Sequence, residues 1–286
     1  MEQVRIFQIL FKLNDGFAIE TVIIPTDRGR TTVCVSSQVG CAMNCQFCYT
    51  GRMGLERSLT TAEIIEQILF SNRLFGSITN VVFMGMGEPL QNIDNVLKAT
   101  EIMVHEQGLH LSPNKITIST SGLVPQIKRF LNESNCSLAV SLNATTNEIR
   151  DWVMPINKKF NLAALINTLR NELKSDKRKV LFEYVMLKGV NDSLEDATRL
   201  AELVRGIPCK INLIEFNWHK GSIFRSTERG HMMRFRDVLS ERGCVVLVRY
   251  SRGDDRMAAC GQLGIAGSVR NPLLKVPEEF QTAVNG

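Results

Sequence analysis

The chain has 286 residues, 44% hydrophobic and 22% charged, with 34 Lys and Arg against 29 Asp and Glu for a net charge of +5. That composition excludes a disordered chain, and the length suits one large α/β domain or two smaller units. No apolar run is long enough to cross a bilayer, and Met1 to Leu13 is broken by Glu2, Arg5, Gln8 and Lys12, so neither a membrane span nor an export signal is expected and a cytoplasmic protein is. The small positive balance permits a polyanionic partner without requiring one.

Ile6 to Leu13 and Phe17 to Ile24 flank Asn14-Asp15-Gly16, a turn tripeptide, and predict an N-terminal β-hairpin. Beyond it, β-branched runs predict strands at 32–36, 80–84, 115–119, 137–141, 180–186, 209–214 and 245–249. Apolar residues at helical spacing fill intervals such as 60–74 and 92–106, and Thr60 with Glu63 makes a capping box. Strand followed by helix, repeated about six times, implies parallel strands with right-handed crossovers, hence a full or partial barrel or a doubly wound sheet. In either architecture chemistry collects at the C-terminal strand ends. The polar motifs obey this: Gly40-Cys41, Gly85 to Pro89, Ser119 to Gly122, Ser141 to Asn143 and Asn217 each follow an apolar run directly. No linker or repeat breaks the chain, and the charged stretch 174–179 reads as a solvated turn. The expected division is a hairpin extension at 1–26, a core at 27–270 and a tail at 271–286.

Eight cysteines in a chain this long are too sparse for a disulfide scaffold, and they default to thiols, metal ligands or redox catalysts. Three of them fall in Cys41-Ala-Met-Asn-Cys45-Gln-Phe-Cys48, a C-x3-C-x2-C spacing. Three thiolates on a short loop can hold three irons of a cubane cluster and leave the fourth iron open to a reactant. A structural zinc wants four closed ligands, and His105, His110, His219 and His231 are all distant in sequence. A disulfide is disfavoured by the expected compartment. The spacing therefore points to an iron-sulfur cluster with one vacant corner.

Further segments stand beside that loop: Cys34-Val-Ser-Ser-Gln-Val-Gly-Cys41, Phe83-Met-Gly-Met-Gly-Glu88-Pro89-Leu90, Pro155-Ile-Asn-Lys-Lys159, Cys209-Lys-Ile-Asn-Leu-Ile214 and Arg252 to Leu263. The loop resembles the signature of the radical S-adenosylmethionine (SAM) superfamily, and these segments narrow the resemblance to the RlmN/Cfr family of RNA adenine methyltransferases, on the RlmN side. The similarity runs from about Glu20 to Leu263. It implies an α/β fold, a partial (β/α)6 TIM-like barrel with an N-terminal β-hairpin extension. It also implies a 4Fe-4S cluster on Cys41, Cys45 and Cys48, with SAM chelated at the open iron and cleaved by an electron to give a 5′-deoxyadenosyl radical. The implied reaction methylates C2 of an adenosine in large-subunit rRNA, with tRNA as a second substrate. The implied partners are RNA and an electron donor such as flavodoxin or ferredoxin, with the enzyme a monomer.

Adenine C2 is not nucleophilic, so it cannot attack the methyl of SAM and a radical route is needed. In the resembled family the cysteine matching Cys260 first accepts a methyl from one SAM. A second SAM yields the radical that removes a hydrogen from that methyl, and the carbon radical adds to the base. The cysteine matching Cys34 then attacks the sulfur, forms a disulfide with Cys260 and releases the product. Cys260 follows Gly253-Asp254-Asp255-Arg256, a stretch suited to a mobile loop. Cys136, Cys209 and Cys244 lie at or beside strand starts and read as core packing.

The same carry-over puts Gly87 and Glu88 on SAM, the carboxylate accepting from the methionine ammonium, with Ser119, Ser141, Leu142, Asn143 and Asn217 as further contacts. Glu20 matches the family's general base, which removes the proton from the methylated ring position. Asn143 stands where many relatives have His, Tyr49 follows the cluster where Ser is common, and only Met1 to Ile19 precede Glu20 where typical relatives carry an accessory helical domain. Arg28, Arg30, Lys158, Lys159, Arg249, Arg252 and Arg256 are candidates for a phosphate-contacting rim. The rival readings are a Cfr-like C8 methyltransferase and a non-catalytic RNA-binding module with a structural metal.

Overall fold

The computed structural model describes residues 6–26, 29–173, 178–250, 259–265 and 267–285. Strands β1 (Phe7–Lys12) and β2 (Ala18–Pro25) pair antiparallel about a turn in which the Gly16 N–H donates to the Leu13 carbonyl, the hairpin that Asn14-Asp15-Gly16 predicts. β2 pairs antiparallel with β3 (Thr31–Cys34), so the hairpin is continuous with the main sheet. Two short strands, β4 (Gln38–Cys41) and β5 (Gly54–Ser58), form a separate hairpin with α1 (Tyr49–Met53) between them. The main sheet then continues in parallel through β6 (Asn80–Phe83), β7 (Ile116–Thr120), β8 (Ser137–Ser141), β9 (Val180–Met186), β10 (Cys209–Glu215) and β11 (Val246–Arg249). The seven strands predicted after the first hairpin are all present.

The crossovers are α2 (Thr61–Phe75), α3 (Ile93–Val104), α4 (Val124–Glu133), α5 (Asn147–Val153) with α6 (Leu162–Glu172), α7 (Leu194–Leu203) and α8 (Arg229–Glu241). Thr60 and Glu63 close the predicted capping box on α2, and Ile64 and Ile68 one turn apart face the core. Six strand-helix units are thus followed by β11. Val22, Cys34 and Val82 from one end of the sheet and Ile214 and Arg249 from the other line a common cavity, so the sheet curls. Among the described residues β1 and β11 are its unpaired edges, which makes the barrel partial, as expected. The inner strands are covered on both faces, hence runs such as Val180–Met186 that are apolar almost throughout, whereas the edge strands β1 and β11 alternate with exposed residues. A second apolar cluster gathers Trp152, Phe216 and Phe224, and the tail closes it by stacking Phe280 on Trp152 at 5.4 Å just before α9 (Gln281–Asn285). No helix among the described residues is long and apolar enough to cross a membrane.

The hairpin of β4 and β5 was not foreseen, because neither segment alternates apolar with polar residues. Its register shifts between Val39 and Gly40. Gly40 has φ +74°, and a Cβ there would lie 1.9 Å from the Gly54 carbonyl oxygen, so only glycine lets the strands close beside Cys41.

Two ionisable side chains are buried near the C-terminal strand ends. Arg150 of α5 is fully buried and donates to the carbonyls of Ser121, Ser141 and Leu142 and to Asn157 Oδ1 at 2.8 to 3.1 Å. It ties the ends of β7 and β8 together. Burial pulls its pKa down to about 10, so it stays cationic at neutral pH. Glu183 of β9 lies in register between Ser141 and Asn212 and accepts from Asn212 Nδ2 at 2.9 Å, while its Oε1 is buried without a partner. Burial pushes its carboxyl up to about 7, against which Arg249 and Asn212 pull.

Arg150→Met strands three buried carbonyls and an amide, and chemical denaturation is expected to show a loss of ~3 kcal/mol or more. For Glu183 the folded state holds the proton more tightly than the unfolded chain, so its stabilising contribution is complete below the ordinary carboxylate value and is lost as pH rises through about 7. Thermal melts of Glu183→Gln and the parent should therefore diverge by several degrees between about pH 5 and about pH 8, with the variant gaining at the alkaline end. A constant difference across that window would show that the carboxyl is not held neutral.

Candidate active site

The three-cysteine loop leaves β4 at Cys41 and enters α1 at Tyr49. Asn44 takes φ +50°, a left-handed turn that Asn tolerates better than most residues, and the Cys48 N–H donates to the Cys45 carbonyl. Buried Gln46 ties the loop to its surroundings: its N–H donates to the Val153 carbonyl, its Nε2 to the Asn44 carbonyl, and its Oε1 accepts from the Leu274 N–H of the tail. Cys41, Cys45 and Cys48 all face one cleft of about 870 Å³, part of it open to solvent. Burial pushes all three thiols up, and for Cys45 the facing thiols of Cys48 and Cys41 add to it, so metal binding has to displace their protons. Three thiolates that each met one iron would leave the fourth iron of a cubane open, whereas a structural zinc wants four closed ligands, so the donor set fits the cluster.

Opposite the thiols the cleft is walled by Gly85, Gly87, Glu88, Ser119, Ser121, Ser141, Asn143 and Glu183. Gly87 has φ +104°, and a Cβ there would lie 2.6 Å from Gln38 Cβ. That close approach lets Gln38 Oε1 accept from the Glu88 N–H at 2.8 Å, fastening the glycine turn to β4. Glu88 is buried, and its carboxylate accepts from the Ser121 N–H at 2.7 Å and the Leu90 N–H at 3.0 Å. Burial raises its pKa while these amides oppose the shift. Two bonds leave half its lone-pair sites for an ammonium. Ser121 Oγ and Glu183 Oε1 are buried in the same wall without hydrogen-bond partners. A ligand carrying both donors and acceptors, as SAM does, would satisfy them, so the residues present fit that group.

Cys260 joins this cleft to a second cavity of about 620 Å³, since it lines both. It is open to the water of the clefts and closed in by protein elsewhere, and burial pushes its thiol up to about 11. Its segment is held by main-chain contacts: the Tyr49 N–H donates to the Gly261 carbonyl at 2.8 Å, Thr50 Oγ1 to Leu263 and Tyr49 Oη to Ile265, all from α1 immediately after the cluster loop. Cys34, at the end of β3, lines the second cavity only. It is buried, and burial first and the facing Cys260 second push its thiol up to about 12. The structure thus brings the cluster cysteines, Cys260 and Cys34 into two adjoining spaces that share one wall.

Other expected site residues lie differently. Asn217 lines the second cavity and donates from Nδ2 to the Cys260 carbonyl at 3.0 Å. Leu142 is buried in the apolar core and lines neither space; only its main chain, gripped by Arg150 and Glu183, bears on the site. Asn143 lines the first cleft with φ +54°, but its Oδ1 already accepts from the Val185 N–H. Glu20 of β2 lines neither cavity. Its carboxylate accepts from Gln8 Nε2 at 2.8 Å and from the Gly264 N–H at 2.6 Å, and burial raises its pKa. It therefore links the hairpin to the Cys260 segment. Cys136 is in the core, with Cys209 and Cys244 packed against it.

The basic rim is corrected in part. Arg249 borders the second cavity, but Lys158 and Lys159 lie with Ala42, Met43 and Asn44 in a separate depression behind the cluster loop. Arg30 precedes β3, at the opposite end of that strand from Cys34, because a parallel strand carries only its C-terminal end to the site. Arg28, Arg252, Arg256 and the 253–256 stretch lie outside the described residues. Sequence reading missed Arg150, which has no distinguishing signal on an amphipathic helix. It also missed Glu183, whose signal was a lone carboxylate inside the apolar run Val180–Met186.

The pattern of the radical SAM superfamily matches residues 35–201. The chain is 52% identical over 254 residues to the dual-specificity RNA methyltransferase RlmN of Geobacter sulfurreducens, spanning 89% of this chain and 70% of that protein. It is 52% identical over 265 residues to the protein of the same name from Pelobacter propionicus, spanning 92% and 76%. A crystal structure of a radical SAM methyltransferase from Sphaerobacter thermophilus superposes with a TM-score of 0.87 at 42% identity, covering 90% of this chain and 77% of that one. The chain therefore belongs to the radical SAM superfamily and, within it, to the RlmN family.

Proposed function

We propose that this protein is a radical SAM methyltransferase that adds a methyl group to C2 of an adenosine in RNA, with large-subunit rRNA and tRNA as substrates. The observation that carries the reading is the position of Cys260, which borders both the cleft of the three cluster cysteines and the cavity of Cys34. A 4Fe-4S cluster on Cys41, Cys45 and Cys48, together with SAM against Glu88, Gly87, Ser119 and Ser141, supplies a methyl group and a carbon-centred radical there.

The chain's own residues do the rest. Cys260 carries the methyl on its sulfur at the boundary, reachable from both sides. The target adenine occupies the second cavity, whose walls Ile6, Val22, Ile24, Val82 and Met84 are apolar and suit a flat base extruded from its stack. Cys34 faces Cys260 across that cavity, placed to attack its sulfur, form a disulfide and free the methylated base. Glu20, whose carboxyl burial raises, is the proton acceptor for the ring carbon, reached when its Gly264 contact opens. Asn217 and Asn143 hold main chain around the site. A one-electron donor such as flavodoxin or ferredoxin completes the cycle; the enzyme acts as a cytoplasmic monomer.

With anaerobically reconstituted enzyme, Cys34→Ala is expected to accumulate a covalent adduct with labelled RNA that survives a denaturing gel, whereas Cys260→Ala gives neither adduct nor methylated product. Normal turnover by Cys34→Ala would remove the resolving role. Mass spectrometry of the nucleosides should show 2-methyladenosine, and an 8-methyl product would move the enzyme to the Cfr-like branch.

A further inference from the structure

Tyr250 lines the Cys34 and Cys260 cavity, Trp218 directly follows Asn217, which lines it too, and the chemistry above leaves both aromatic side chains unused. Trp218 is 60% exposed, the most exposed aromatic residue among those described, and Tyr250 is 38% exposed on the cavity rim. An indole presented to water on a loose loop would need no explanation. Here the loop is not loose.

Both neighbours of Trp218, Asn217 and His219, are buried, and His219 packs edge-on against Tyr49 at 5.6 Å. Gln262 Nε2 donates to the Trp218 carbonyl at 2.7 Å, and Gln262 Oε1 accepts from the Ala259 N–H at 3.1 Å. With the bond from Asn217 to the Cys260 carbonyl, these contacts fix the Trp218 backbone to the very segment that bears the reactive thiol. The Trp218 main chain is therefore held at a set place relative to Cys260, with its indole exposed. Tyr250 is set as firmly from the other strand end: the Arg229 guanidinium lies 4.8 Å from its ring centroid and is itself anchored to Glu215 at 3.4 Å. Lys220 and Arg249, each within two residues of one of these rings, add cations; Lys220 is exposed and Arg249 lines the cavity.

Rigid aromatic faces interleaved with cations match unpaired nucleotides, whose bases stack on any π-face while their phosphates seek positive charge. The need is specific to this cavity. A base that enters it leaves the stack, and each of its former neighbours loses a stacking partner. Resting on the RNA reading above, we infer that Trp218 and Tyr250 are stacking platforms for the unpaired nucleotides flanking the target adenosine.

The indoles allow a direct test, because Trp152 is the only other tryptophan of the chain and is buried beside Phe224 and Phe280. A change in tryptophan emission on binding therefore reports Trp218. Titration of the reconstituted enzyme with an RNA hairpin carrying an unpaired loop adenosine is expected to quench the emission and shield it from acrylamide. A fully paired duplex of the same composition is expected to do neither. Trp218→Ala should weaken loop binding about tenfold and raise KM more than it lowers kcat, and Trp218→Phe should restore both. Emission unchanged at saturating loop RNA, with the RNA still methylated, overturns the stacking role alone, as does a Trp218→Ala variant that binds like the parent. Loop RNA that neither binds nor is methylated overturns this inference together with the function proposed above.

Discussion

The arrangement depends on three contacts between α1 and the 259–265 segment, in which Tyr49 and Thr50 grip the main chain of Gly261, Leu263 and Ile265. Tyr49 directly follows the last cysteine of the cluster loop, and Gly261 directly follows Cys260. Residues more than 200 positions apart in sequence are thus joined one residue from each reactive group. The tail repeats the device from outside, where Leu274 holds Gln46 inside the loop and Phe280 covers Trp152. A reactive carbon radical demands a short, fixed path to its target, and anchoring the 259–265 segment on the helix that follows the cluster loop sets such a path.

The opposite wall is built on a different principle. Arg150 spends every donor the structure records on carbonyls and an amide rather than on a carboxylate, so it fixes the positions of Ser121, Ser141 and Leu142 without neutralising any acid in the cleft. Glu88 is held by main-chain amides, and Glu183 by one amide side chain that leaves its Oε1 without a partner. The acids facing the cleft keep acceptor capacity for a ligand, which a salt bridge to Arg150 would have removed. Asn157 of the Pro155 to Lys159 motif belongs to this scaffold, bonding Arg150, Asn147 and Asp151.

What the sequence disclosed follows from where the information is local. The parallel core was legible because each strand is a short β-branched run and each crossover has a clear apolar stripe, as in Ile64 and Ile68. The thiol trio was legible because its ligands lie on one loop. The hairpin of β4 and β5 was not, since its pairing rests on a Gly40 to Gly54 approach that no periodicity encodes. Leu142 shows what adjacency hides: its side chain packs into the core while only its main chain bears on the site, a division that the sequence does not encode. Glu20 was placed by resemblance as a base, and only the fold reveals that its carboxylate also fastens the first hairpin to Gly264.

The thiols of Cys34 and Cys260 present a last physical constraint. Both are held well above neutrality, Cys34 at about 12 and Cys260 at about 11, by burial first, to which the facing Cys260 adds for Cys34, and Glu183 and Cys48 add for Cys260. Thiol-disulfide exchange proceeds through a thiolate, so suppressing ionisation slows exchange at this pair. In the proposed cycle Cys260 sulfur is alkylated when Cys34 is to attack, so its opposition to a Cys34 thiolate is then absent while the pull of Arg249 remains.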